Sequence, residues 1–225
     1  PFAYLHSFVL SLISIFLICI AIKKNNPILW FIIPLICFFA FFSMQTPSSY
    51  IILIIIFFSL FFLSKKNYSK SLIYFLFGGI SSIIILFLYL FVTKTPIENL
   101  FFQYFLFPLS LGGERILSEP GAYVALKDQL TFKRLIFDFK YINIFLFPLI
   151  FFTIRLFYKK KKDFLKVVNL IFILSTFSYL FNQLVTANQI YIFSLIPILA
   201  AILQCNIEKK KLNNYFKIFI VLLVC

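Results

Sequence analysis

Acidic side chains and histidine are almost missing from this sequence: seven Asp and Glu and one His stand among 225 residues. Charged residues of both signs reach only 12%, where a soluble domain carries about a quarter. That shortage excludes an ordinary soluble surface. The lone His6 sits in an apolar run, where a histidine is more often a packed polar residue than a ligand, so a metal centre is set aside as well. Glycine is scarce too, and three of the five glycines fall in one segment, Ser110 to Tyr123. That segment has no GxxxxGK[ST] or GxGxxG pattern and no strand before it, which excludes a nucleotide loop. Cys19, Cys37, Cys205 and Cys225 lie in or beside apolar runs, at spacings that suggest neither a zinc site nor a disulfide pair. They read as small apolar fillers.

What is present is apolar: 63% of the residues are hydrophobic, and the mean hydropathy is +1.04. One globular core cannot hide this excess, so the composition predicts a multi-span membrane protein. Apolar runs cover roughly 2–22, 27–43, 48–64, 71–93, 141–158, 165–186, 189–206 and 215 onward. They predict an all-α polytopic transmembrane bundle of about seven to eight spans, with interfacial helices on its extracytoplasmic side. The second and third runs are short against the roughly 20 residues of a crossing helix. They fit two tilted or locally thinned spans, or a helical hairpin that does not fully cross. The chain starts at Pro1 without Met and stops inside an apolar run. It therefore reads as a piece of a longer protein, cut at both ends, with 1–225 as one transmembrane domain.

Four basic clusters punctuate the runs: "KKNN" at 23–26, "KKNYSK" at 65–70, "KKKKDFLK" at 159–166 and "EKKKLNN" at 208–214. Counting spans places all four on one side. With Arg155 and Lys217 that side holds 15 Lys and Arg against Asp163 and Glu208. The other side holds six Lys and Arg against five acids, so the two sides carry +13 and +1 of the net +14. The positive-inside rule makes the basic side cytoplasmic, in the inner membrane. This disposes of nucleic acid as a partner, despite a pI near 9.7. The lysines are short loops between spans, and topology and contact with anionic lipid explain them.

Three polar segments remain for the outer side: "SMQTPSS" (43–49), the long loop 94–140, and "NQLVTANQ" (182–189). In the first, Thr46-Pro47 starts an outward-pointing helix, which is either an ordinary capped helix start or one whose free amides favour an anion, with Gln45 and Ser48 as further donors. In the loop, "TPIE" (95–98) reads as a capping box, with Thr95 as N-cap and Glu98 reaching back. The short helix it starts, to about Phe107, lies in the interface through Phe101, Phe102, Tyr104 and Phe105. Gln103 is its polar exception, and Pro108 breaks it. Next come Gly112-Gly113 and Pro120-Gly121, turn signals that bracket Glu114 to Glu119. This polar island is either a solvated connector or part of a surface site, in which Arg115 holds a phosphate and Glu114 a sugar hydroxyl or a metal-bound group. "VALKDQLTFKRLIFDFK" then predicts one amphipathic helix. Phe132, Leu135, Ile136 and Phe139 lie on one face, and Lys127, Thr131, Arg134 and Asp138 on the other. The third segment gathers Asn182, Gln183, Thr186, Asn188 and Gln189, amides that bind a ligand or bond between helices.

The stretches "MQTPSSYI", "FFQYFLFPLSLGGERI" and "NQIYIFSLIPILAAIL", set around a Lys-rich inner turn, resemble bacterial integral-membrane glycosyltransferases of the GT-C class, the arabinose- and mannose-transferring group that uses polyprenyl-phosphate sugars. The resemblance covers most of the chain through short motifs. It implies a sugar donor anchored in the bilayer, a glycan or lipid acceptor, and inverting transfer at the outer face. On that reading Gln45, Thr46, Gln103, Glu114, Arg115, Asn188 and Gln189 wall the substrate groove. Met44 stands where such relatives often carry Lys. The family's catalytic acid sits in the first outer loop, which this chain is expected to begin after, so no catalytic residue is carried over. No cofactor is indicated, and a divalent cation is compatible with the chemistry. Three rival readings stay open, one of them a structural membrane subunit with no chemistry. A polysaccharide polymerase or ligase would place Arg- and His-bearing motifs in the large outer loop, and this loop has no His. A transporter or flippase would carry ionisable residues or broken helices within repeated halves.

Overall fold

The computed structural model describes residues 2–110, 126–158, 164–186 and 191–208. Among these residues every regular element is helical, and there is no strand. Helix packing divides the chain into two compact units, residues 1–131 and 132–225. Among the described residues five helices are long and apolar enough to cross a membrane: Ala3–Lys24, Gln45–Leu63, Ser69–Thr93, Lys140–Tyr158 and Phe164–Val185. Two shorter apolar helices, Pro27–Ser43 and Ile192–Ile207, accompany them. The boundaries follow the apolar runs to within a few residues, because the end of each run is also where backbone caps or prolines occur.

Unit 1 opens with α1 (Phe2–Lys24), α2 (Pro27–Ser43), α3 (Gln45–Leu63) and α4 (Ser69–Thr93). The first turn shows how short polar sequences set the ends. Asn25 takes the left-handed conformation, φ 47°, and donates its amide to Ala21, a role asparagine fills more easily than most residues. Asn26 caps α2 by accepting from the Ile28 amide at 3.0 Å. Pro27 follows at the first helical position, where its missing N–H costs nothing. One loop thus ends α1 and starts α2.

The core of unit 1 is a set of stripes three and four residues apart. Ile15, Ile18 and Ile22 of α1, Trp30, Ile33, Cys37 and Ala40 of α2, and Ile51, Ile55, Phe58 and Phe62 of α3 are all buried. On α4 the buried positions are instead Ser71, Gly78, Ser82 and Leu90. Most of its large side chains, from Ile73 to Val92, are exposed. α4 meets α2 through the small residues, as helices do where close backbone approach replaces side-chain interdigitation. A Cβ on Gly78 would overlap the Phe31 carbonyl oxygen of α2 and lie 3.0 Å from its carbon.

Hydrogen bonds mark the two ends of this bundle. At one end the Asn25 side chain donates to the Asn67 carbonyl at 3.0 Å, the Ser71 hydroxyl donates to Asn25 Oδ1 at 2.9 Å, and the Tyr68 hydroxyl donates to the Ile22 carbonyl at 3.0 Å. At the other end Ser7 donates to the Met44 carbonyl at 3.1 Å. The clusters at 23–26 and 65–70 therefore share one end, and α1 to α4 alternate in direction. Of the two options for runs two and three, each gives the expected return of the chain to its starting end.

After α4 the chain departs from expectation. Lys94 closes the helix in the left-handed region at φ 54°, with its amide and that of Thr95 bonded to carbonyls of the last turn. The capping box does not form. Pro96, not Thr95, is the cap of α5 (Ile97–Phe101), without a side-chain bond, and the Thr95 hydroxyl pairs with that of Thr93 at 2.8 Å. Nor does Pro108 break the helix, which runs on to Ser110. The preceding turn, Phe102–Leu106, widens into a π-helix, and a widened turn relieves the clash between a proline ring and the carbonyl one turn back.

The expected single amphipathic helix after the island is two pieces, α6 (Leu126–Gln129) and α7 (Phe132–Phe137). The break falls at Leu130-Thr131, beside a β-branched residue that prefers caps to helix interiors. Of the proposed apolar face, Phe139 is fully buried and Leu135 and Ile136 are half-buried, while Phe132 is exposed. The Arg134–Asp138 pair of the polar face is an ion pair at 3.0 Å.

Unit 2 continues with α8 (Lys140–Tyr158), α9 (Phe164–Thr186), a 3-10 turn at Ile192–Ser194 and α10 (Leu195–Glu208). α8 packs on both α9 and α10 through Ile142, Leu146, Leu149, Phe152, Leu199 and Leu203, all buried. Asn143 donates to the Leu135 carbonyl at 2.8 Å and so satisfies the end of α7.

Candidate functional site

The end of unit 1 opposite the lysine loops gathers the polar turn between α2 and α3 and the segment that follows α4. In the turn, Met44 is extended, φ −166°, and Thr46 is non-helical, φ −114° and ψ 130°. Regular helix therefore begins at Pro47, after a cis Thr46–Pro47 bond. Gln45 and Thr46 are half-buried here. Ser48 is not the free donor that the sequence suggests. Its hydroxyl donates to the Met44 carbonyl and, at 3.2 Å, to that of Gln45, and Ser49 also donates to Gln45. The hydroxyls point back to cap the carbonyls of the turn, which leaves any ligand the helix amides beyond Pro47 and the amide of Gln45.

Tyr104 brings the later segment to the same end. Its ring lies 4.8 Å from Phe42 and 6.2 Å from Phe41, centre to centre. Burial, and after it the nearby Tyr89, hold the Tyr104 phenol above its ordinary value, so it stays a protonated donor at neutral pH. Gln103, next to it, is exposed. Two shallow grooves meet at Ile97. One, of about 570 Å³, is walled by Ile84, Phe87, Leu88, Phe91 and Thr95. The other, of about 620 Å³, is walled by Glu98, Asn99, Phe101, Phe102 and Leu106. The first is almost wholly apolar, and Thr95, Glu98 and Asn99 give the pair a polar rim. The pair thus sets an apolar wall along α4 beside a polar rim.

Of the residues expected in the site, Gln45, Thr46 and Gln103 are thus at one end of unit 1, with Tyr104 as the side chain that joins their segments. Glu114, Arg115, Asn188 and Gln189 lie outside the described residues. Asn182 and Gln183, their neighbours in sequence, are buried in α9. Among the described residues no three His, Cys, Asp or Glu come together as a metal site.

One polar cluster escaped sequence reasoning. Asn169 of α9 and Asn206 of α10 exchange two side-chain hydrogen bonds, each 3.0 Å. Asn169 also donates to the Thr153 hydroxyl of α8 at 3.0 Å, and Thr153 and Asn206 donate on to carbonyls one turn back in their own helices. All three side chains are buried. The available signal was Asn169 near the start of one apolar run and Asn206 at the end of the next, polar side chains that at membrane depth are costly unless paired. Comparison with protein-family models, with curated proteins and with solved structures finds no match to this chain.

Proposed function

We propose that the chain works as a membrane glycosyltransferase of the GT-C class, moving a sugar from a polyprenyl-phosphate donor to a glycan or lipid acceptor at the extracytoplasmic face. The observation that carries this reading is the apolar groove along α4, which ends at a polar rim on the same end of unit 1 as the Gln45-Thr46 turn. An isoprenoid chain suits the groove, and its phosphosugar then meets the rim. In the reaction the acceptor hydroxyl attacks the anomeric carbon, a carboxylate takes its proton, and the bond to the polyprenyl phosphate breaks with its electron pair. The amides of the turn and Arg115 stabilise the departing phosphate.

Membranes from cells that make the whole protein carrying this chain, catalytic acid included, are expected to transfer radiolabelled pentose or hexose from polyprenyl phosphate to an endogenous acceptor, above membranes from cells that lack it. Arg115→Ala should lower that rate by about 100-fold, as loss of one stabilising donor does. Equal transfer with and without the chain removes the glycosyltransferase reading; an unchanged rate in the variant removes Arg115 from it.

The reading also places the lysine loops in the cytoplasm. With the native cysteines replaced by alanine, Asn67→Cys should react with a membrane-impermeant maleimide only after cells are opened. Thr95→Cys should react in intact cells, and the reverse pattern would invert the orientation.

A further inference from the structure

The lysine end of unit 1 carries an interaction surface of its own, whatever the chain catalyses. Lys23 and Lys24 end α1, Lys65 and Lys66 follow α3, and Lys70 lies in the first turn of α4. No acid precedes Glu98 in the sequence, so nothing in the first four helices neutralises these five lysines. Among the described residues Lys23, Lys24, Lys65 and Lys70 are exposed, and the ion pair found is Arg134–Asp138.

Three features make this more than a run of basic loops. The two loops are fastened together by Asn25 to Asn67, Ser71 to Asn25 and Tyr68 to Ile22, so the charges are held side by side before any partner arrives. Tyr68 caps α4 without a side-chain bond, so the positive N-terminal end of a 25-residue helix lies beside Lys70. The Lys65 ammonium stands 4.2 Å and 4.6 Å from the centres of the Phe62 and Phe61 rings. Below it the exposed side chains of Phe57, Leu60 and Phe61 continue down α3. Positive charge therefore sits directly above a lipid-compatible wall.

We infer that this end of unit 1 is a binding site for an anionic phospholipid. The lysines and the positive end of α4 take the headgroup phosphate, and the Phe57-Leu60-Phe61 wall takes the acyl chains. Charge complementarity selects the headgroup, because a zwitterionic lipid offers its phosphate together with a cation that the lysines repel. The prefastened loops keep the ordering cost of binding low.

The test uses the chain in phosphatidylcholine nanodiscs, with phosphatidylglycerol added in steps. Two readouts apply: lipid retained in native mass spectrometry, and the fluorescence of Trp30. Trp30 is the sole tryptophan, is fully buried and packs 6.1 Å from the Tyr68 ring. Phosphatidylglycerol should be retained in preference to phosphatidylcholine and should shift the emission. Lys23, Lys24, Lys65 and Lys70 changed to Gln should weaken retention by roughly fivefold for each lysine removed. The same four changed to Arg should keep it, which separates charge from folding, with helicity checked by circular dichroism. Equal retention of the two lipids, or retention unchanged in the Gln variants, overturns the site. Inorganic phosphate that displaces the lipid at equal concentration shows a general phosphate site and overturns the assignment to a lipid.

Discussion

Replacing Gly78 by alanine should destabilise the chain by about 1–3 kcal/mol, the usual cost of forcing volume into a packed interface. Gly79→Ala should cost nothing or stabilise slightly. The two glycines are neighbours in one helix and identical in propensity, so the comparison isolates packing. At Gly78 the added methyl would overlap the Phe31 carbonyl oxygen and touch its carbon and Cα. These are backbone atoms that no rotamer change can move, so α2 and α4 must separate along their contact. At Gly79 nothing lies within 4 Å, and alanine in a helix is preferred to glycine by roughly 0.5–1 kcal/mol. Denaturant-induced unfolding in mixed micelles, followed by Trp30 fluorescence, measures both. Equal effects of the two substitutions would mean that α2 and α4 do not approach as closely as described.

The second large effect is expected in unit 2. Asn206→Leu should cost about 1–3 kcal/mol, because it strips the buried Asn169 amide of its reciprocal partner and leaves a polar group facing apolar neighbours. Asn169→Leu should cost at least as much, since it also removes the donor to Thr153. The double substitution should cost less than the two single ones together, since it removes both members of the pair at once. The interaction energy expected is about 0.5–2 kcal/mol, in the range of interhelical hydrogen bonds within membranes. A double-mutant cycle on unfolding in micelles reads it directly, and strict additivity would show that the two amides act independently.

The helices themselves were legible because hydropathy and caps agree. "KKNNP" contains a left-handed terminator, an N-cap and a first-turn proline in order, and each does what its chemistry favours. Local motifs failed where a second local option existed. Thr95 had Thr93 within reach and took it instead of capping α5. Pro108 could remain helical once the turn before it widened. The Ser48 hydroxyl donates to the Met44 and Gln45 carbonyls at the start of its own helix. These outcomes depend on competition between alternatives of similar energy, which a pattern of residue types does not rank. The contacts between distant segments were the least legible. Gly78 and Gly79 both interrupt one apolar run, yet only packing distinguishes the one that faces Phe31. Asn169 and Asn206 are 37 residues apart, and their pairing follows from how α9 and α10 are set on α8. Of the candidate site, the turn at Gln45 and Thr46 and the aromatic segment around Gln103 were visible as polar exceptions. Tyr104, which joins them, looked like one more aromatic among many.

The packing of α4 on α2 also sets a schedule for synthesis. α1 and α2 are adjacent in sequence and can pair as soon as the loop at 25–26 leaves the ribosome. α3 can join them next. α4 then packs chiefly on α2 and only slightly on α3, the helix made just before it. Until residue 93 has been translated, the groove on α2 that will receive Gly78 stays open to whatever the membrane offers. A nascent chain with only α1 to α3 in the membrane should therefore be a different quality-control substrate from one in which α4 has joined them.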